Sequence, residues 1–212
     1  MSDYIENFKT VQFRTSLLYG PDYNPQLDIR DQGPHGIKLI QSVLSALNSN
    51  GFEKNTDIIG ECYKTARVVS YALMELGIDH SIAIGNVSVD GVNQFATTAK
   101  SIEQDMNEGF EMDSAAVAHA WLTLASGQVL DCTILSSYFF HTKQIHLDID
   151  EALYLSGHTK GLKLVHQPYV TGLAYHLYIV STPGIQAHEK YAQWLKDLTV
   201  FKKNIKPATF LT

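Results

Sequence analysis

The chain has 212 residues, of which 45% are apolar and 18% charged, and a formal net charge of −6. That apolar share supports a sizeable core and excludes wholesale disorder, and the length suits one domain or one domain with an elaboration. The acidic balance, with no Lys/Arg-rich run, excludes the usual basic nucleic-acid binder. Lys202, Lys203 and Lys206 read as solvated charges near the C-terminus. The opening MSDYIENFKT shows no basic leader followed by an apolar stretch, and no segment has eighteen uninterrupted apolar residues. The expectation is a cytoplasmic protein without membrane association. Two cysteines, Cys62 and Cys132, are too few for a disulfide framework and are expected as free thiols.

Residues 1–34 read as an irregular N-terminal arm, punctuated by Gly20, Pro21, Pro25, Gly33 and Pro34. The rest, 35–212, reads as one domain. From Gly36, the spacing of Ile37, Ile40, Val43, Leu44 and Leu47 predicts a helix that ends between Asn48 and Gly51. A second helix is predicted from Glu61 or Cys62, because Cys62, Ala66, Val69, Leu73 and Leu76 fall on one face and Gly77 stands at the C-terminal cap. His80–Val89 reads as a strand with Asp90-Gly91 as its turn. Residues 96–110 read as a polar helix or loop insertion. Two strands, Val117–Leu124 and Gln128–Thr133, are expected to form a hairpin about Ala125-Ser126-Gly127, with His119, Trp121 and Thr123 on one face. Leu162–His166 and Ala174–Val180 read as further strands, and Gln186–Leu198 as a closing helix. Helices followed by an antiparallel sheet give an α+β class.

Three residues form a chemical constellation. Cys62 opens a helix, where the partial positive charge of the N-terminus favours a thiolate and thus a nucleophile. His119 follows after 57 residues and Asp131 after 12 more. On neighbouring strands the carboxylate would hold one imidazole nitrogen and leave the other for the thiol. N–H groups at the helix start, that of Cys62 included, would receive an oxyanion. Each residue alone has a plain structural reading: Cys62 as core, His119 as a satisfied histidine, Asp131 as a strand-end residue. Asn55 stands as an oxyanion donor or a turn residue, and Trp121 as a shield of the site or as packing beneath the sheet.

The segments Gly60-Glu61-Cys62-Tyr63-Lys64-Thr65-Ala66, Leu76-Gly77-Ile78, Ala118-His119-Ala120-Trp121 and Gly127-Gln128-Val129-Leu130-Asp131-Cys132-Thr133 resemble, in order, motifs of the transglutaminase-like cysteine hydrolase superfamily. The resemblance covers about residues 58–134, the expected core, and finds no counterpart before or after it. It implies a papain-like α+β fold with the nucleophile at a helix N-terminus packed on an antiparallel sheet. It implies Cys62 as nucleophile, His119 as general base and acid, and Asp131 as the orienting group. It also implies attack on a peptide or protein amide, a thioester acyl-enzyme, and release to water (a thiol protease, amidase or deamidase) or to an amine (a transglutaminase).

No cofactor is expected. His141 and His146 lack a tight metal-binding spacing. Zinc on Cys62, His119 and Cys132 is disfavoured because Cys132 faces away from Asp131's side of the strand. There is no phosphate-binding glycine loop and no G-x-S-x-G elbow, which disfavours nucleotide and serine-hydrolase chemistry. The reading is thus a cysteine hydrolase or acyltransferase with a peptide or protein substrate; the alternative is a non-catalytic binding module on the same fold. The sequence leaves the substrate and the oligomeric state open.

Overall fold

The structure, a computed structural model, describes residues 2–21, 24, 26–30, 33–108, 118–143, 145–158, 161–172 and 175. The chain is α+β, and the registered strand pairs are antiparallel. It divides into two compact units. The described residues of 1–26, 83–119 and 163–175 make the first, and those of 27–82 and 120–162 make the second. Strands β1 (His80–Val89) and β3 (His119–Leu124) each contribute residues to both.

In the first unit, helix α1 (Ser2–Tyr19) corrects the expectation of an irregular arm over 1–34. The turn-forming residues that prompted that expectation begin only at Gly20, and the stretch before it has no proline or glycine. Phe8, Val11, Gln12 and Thr15 are buried at helical spacing. Phe13 and Leu17 on the outer face are exposed, which blurs the apolar stripe. The helix packs on strand β6 (Leu164–Thr171). Thr171 donates its backbone N–H to Thr15 Oγ1 at 3.3 Å. Buried Asn24 joins the two elements: its amide donates to the Gln12 carbonyl at 2.7 Å, and its oxygen accepts from the Thr171 hydroxyl at 3.0 Å.

Strand β1 behaves as its sequence predicts. Asp90 and Gly91 both have positive φ, 50° and 83°, the geometry of a two-residue hairpin turn, and Val89 pairs with Val92 in the short β2 (Val92–Asn93). On its other edge β1 pairs with β6 through a register shift at Ile84/Gly85, where Gly85 lies opposite Pro168. Proline lacks the ladder donor and is tolerated at such an irregularity. Gly85 is required there, because a Cβ would collide with the Gln167 carbonyl oxygen. Gly85→Ala should therefore cost about 3 kcal/mol through forced backbone displacement; a urea midpoint equal to wild type would show that β6 yields freely. Residues 96–110 contain helix α5 (Ala99–Glu108), so the helical alternative holds. Thr98 and Ser101 cap it reciprocally, each side chain accepting the other's backbone N–H. Glu103 pairs with Arg14 of α1. The expected strand Ala174–Val180, apart from Tyr175, and the expected helix Gln186–Leu198 lie outside the described residues.

In the second unit, helices α2 (Ile37–Ser49) and α4 (Cys62–Glu75) pack on each other. Both end in the same terminal motif. In α4, Ile78 N–H bonds the Leu73 carbonyl at 2.8 Å and Gly77 N–H the Met74 carbonyl at 2.9 Å, with Gly77 at φ 66°. In α2, Phe52 and Gly51 bond Leu47 and Asn48 in the same way. Between them lies the short α3 (Asn55–Ile58), where the Asp57 carboxylate accepts the Lys54 N–H at 2.8 Å. The predicted hairpin is present: β3 pairs with β4 (Val129–Asp131) across a turn closed by Gly127 N–H on the Leu124 carbonyl at 2.8 Å. Strand β4 then pairs with β5 (Tyr154–Leu155). Helix α6 (Ile134–Lys143), which the sequence reading passed over, follows β4. Trp121, Leu122, Leu124, Leu130, Ile134 and Leu155 are fully buried and make the centre of this unit's core. His80 anchors the end of the α4–β1 connection. Its Nδ1 donates to the Ile78 carbonyl at 2.8 Å, which leaves Nε2 to accept the buried Ser70 hydroxyl at 2.7 Å.

Candidate active site

Cys62 is the first helical residue of α4 and is 8% exposed. The helix start is tightened by Thr65, whose N–H and hydroxyl both bond the Glu61 carbonyl, at 2.9 and 3.0 Å. Early N–H groups of a helix lack intrahelical acceptors and carry the positive end of its dipole, so a thiol at this position sits in a favourable field. Both cysteines are free.

Asp131 ends β4 and is fully buried. Its Oδ1 accepts the N–H groups of Thr133 and Ile134, each at 3.1 Å, and so caps the start of α6. The pairs Leu122↔Leu130 and Thr123↔Val129, continued one step, set Trp121 against Asp131 on one face of the hairpin. Across β4–β5, Asp131 pairs with Tyr154. Burial, and then the Asp131 charge, push the Tyr154 phenol above its ordinary value. The same two causes, in the same order, push the Cys132 thiol far up, so Cys132 stays protonated.

Helix α3 links these two ends. It runs into the Cys62 turn through Ile59-Gly60-Glu61, with Glu61 N–H on the Ile58 carbonyl at 3.1 Å, and it packs against α6. Asn55, its first residue, is 4% exposed, and neither atom of its side-chain amide has a hydrogen-bond partner among the described residues. The hydroxyls of Thr133 and Ser136, at the start of α6, are likewise buried and unpartnered there. Trp121 is 1% exposed and belongs to the core.

His119 is described in the first unit, as the buried first residue of β3. Its ring stacks on Phe95, with centroids 4.9 Å apart and planes 17° from parallel, which restricts the imidazole's orientation. Phe95 is held by its N–H on the carboxamide oxygen of buried Asn86 at 3.2 Å. The sequence reading missed Phe95. Its only signal was an aromatic residue a few positions past the Asp90-Gly91 turn.

Among the described residues, no group of three or more His, Cys, Asp or Glu side chains is arranged to hold a metal ion, and no helix is long and apolar enough to cross a membrane. No protein-family model, curated protein or solved structure matches the chain.

Proposed function

We propose that this chain is a cysteine-dependent hydrolase or acyltransferase of transglutaminase-like, papain-like type, acting on peptide or protein amides in the cytoplasm, with neither nucleic acid nor membrane as partner. Cys62 attacks the amide carbonyl carbon and forms a C–S bond, while the oxyanion is received by N–H groups at the start of α4 and by the Asn55 amide. His119 accepts the thiol proton and returns it to the departing amine as the C–N bond breaks. Water, deprotonated by His119, then attacks the thioester carbonyl; the C–S bond breaks, His119 returns the proton to the Cys62 sulfur, and a carboxylic acid leaves, whereas an amine in place of water gives a new amide. Asp131 orients the imidazole. The observation that carries this reading is the position of Cys62 as the first residue of α4.

The low exposure of Cys62 favours a second reading, a binding module in which the thiol is unused. Iodoacetamide alkylation against pH, read for each cysteine by mass spectrometry, separates the two. As a hydrolase, the protein should alkylate much faster at Cys62 than at Cys132, and His119→Ala should slow the reaction of Cys62. Cys132, buried and held protonated, is the internal control. If Cys62 reacts no faster than Cys132 in both proteins, the binding module stands instead.

A further inference from the structure

A general base that takes a proton, holds it and returns it must keep its ring in one plane throughout. The second side-chain torsion of a histidine is soft, so burial in itself does not fix that plane. Phe95 supplies a further constraint on His119. The two rings are 17° from parallel with centroids 4.9 Å apart, inside the range of an offset stack. A face-on contact of this kind engages neither ring nitrogen, so both can act in the imidazole plane. Phe95 is itself tied down. The chain after β2 folds back on β1 through two successive hydrogen bonds: Gln94 N–H donates to the Val87 carbonyl at 2.9 Å, and Phe95 N–H to Asn86 Oδ1 at 3.2 Å. Two residues further on Thr97 is buried, and Thr98 then caps α5. Half-buried Phe95 thus sits on a short link anchored at both ends, in the same unit as His119.

We infer that Phe95 is a positioning residue for the proposed reaction: its ring holds the His119 imidazole in one plane through both proton transfers, and its π face favours the imidazolium that exists between them. The inference rests on the hydrolase reading and adds to it a residue that acts through His119 alone. A cation about 5 Å from a ring centroid lies within reach of the ring's quadrupole, and the attraction grows when the pair is removed from water, as buried His119 is. Plain apolar packing would ask less of position 95, since a leucine would fill the space as well. The aromatic face is therefore the property to test.

The test uses the full chain and two readouts. The burst of nitrophenol from p-nitrophenyl acetate measures acylation of Cys62. The ring protons of His119, assigned in proton–carbon correlation spectra by their loss in His119→Ala, measure the stack. Phe95→Leu keeps apolar bulk and removes the π face, whereas Phe95→Tyr keeps the face. In Phe95→Leu the burst should slow about tenfold, and the His119 ring protons should move downfield as the shielding of the stacked ring is lost. Phe95→Tyr should keep both the wild-type burst rate and the wild-type proton positions. An unchanged burst rate in Phe95→Leu overturns the inference and leaves the hydrolase reading in place. Ring protons unmoved in Phe95→Leu, or a burst slowed equally by Leu and Tyr, also overturn it. A wild-type chain without a Cys62-dependent burst overturns the hydrolase reading and the inference with it.

Discussion

Cys62→Ala should abolish acyl transfer, with a loss of about a thousandfold or more in the burst of nitrophenol released from p-nitrophenyl acetate. The expectation follows from the chemistry. The ester carbonyl forms a thioester with Cys62 and releases nitrophenolate, and without the sulfur only the much slower attack of water remains. In the wild-type chain, mass spectrometry should find one acetyl group on Cys62 and none on Cys132, whose thiol burial holds protonated. In the proposed mechanism His119 takes the thiol proton, so His119→Ala should lose a similar factor, and deletions of groups that share one step are not additive. Stability should barely change in Cys62→Ala, because a small buried side chain at a helix start is replaced by the best helix former. A burst that survives in Cys62→Ala, or an acetyl group on another residue, removes the nucleophile assignment.

Asp131→Ala should destabilise the second unit by about 2–4 kcal/mol, far more than Cys62→Ala. It leaves the N–H groups of Thr133 and Ile134 without their shared acceptor in a fully buried place and removes the cap of α6. Asp131→Asn keeps an oxygen acceptor in the same position and should cost only about 1 kcal/mol. The two variants therefore separate the structural role from the proposed catalytic one. Asn retains the cap but loses the charge that orients an imidazolium, so its acylation rate should fall about a thousandfold or more while its urea midpoint stays near wild type. Removal of the charge should also bring the Tyr154 phenol back toward its ordinary value, as an ultraviolet pH titration would read. If Asn is as unstable as Ala, the carboxylate's charge rather than its acceptor geometry holds α6. If Asn keeps full activity, Asp131 is a helix cap alone.

Much of the second unit was legible because its signals close within a few residues. The ends of α2 and α4 are written in Gly51 and Gly77, whose neighbours make both terminal hydrogen bonds locally. The Asp90-Gly91 turn of the first unit and the β3–β4 hairpin of the second are likewise fixed locally, by the Val89–Val92 pair and by the Gly127–Leu124 hydrogen bond. The position of Cys62 at the start of α4 follows from the stripe Cys62, Ala66, Val69 and Leu73, all buried as the spacing requires. Helix α1 was lost to the eye because its buried positions include Gln12 and Thr15 while Phe13 and Leu17 are exposed. A polar buried face makes sense only once Asn24 and Thr171 are there to bond to it.

The sequence by itself determined α2, α4, β1 and the β3–β4 hairpin, the α+β class and the chemical identity of the three candidate residues, since hydrogen-bond closure and side-chain periodicity act over one or two turns. Only the tertiary structure decided what surrounds those residues. Oδ1 of Asp131 caps the helix that follows it, Phe95 stacks on the His119 ring, and Asn55 is enclosed with no partner for its amide among the described residues. Gly85 has room for no side chain because of Gln167, which lies 82 positions away (167 − 85). Such partners are set by which strands and helices meet, and no pattern within a single segment encodes that meeting.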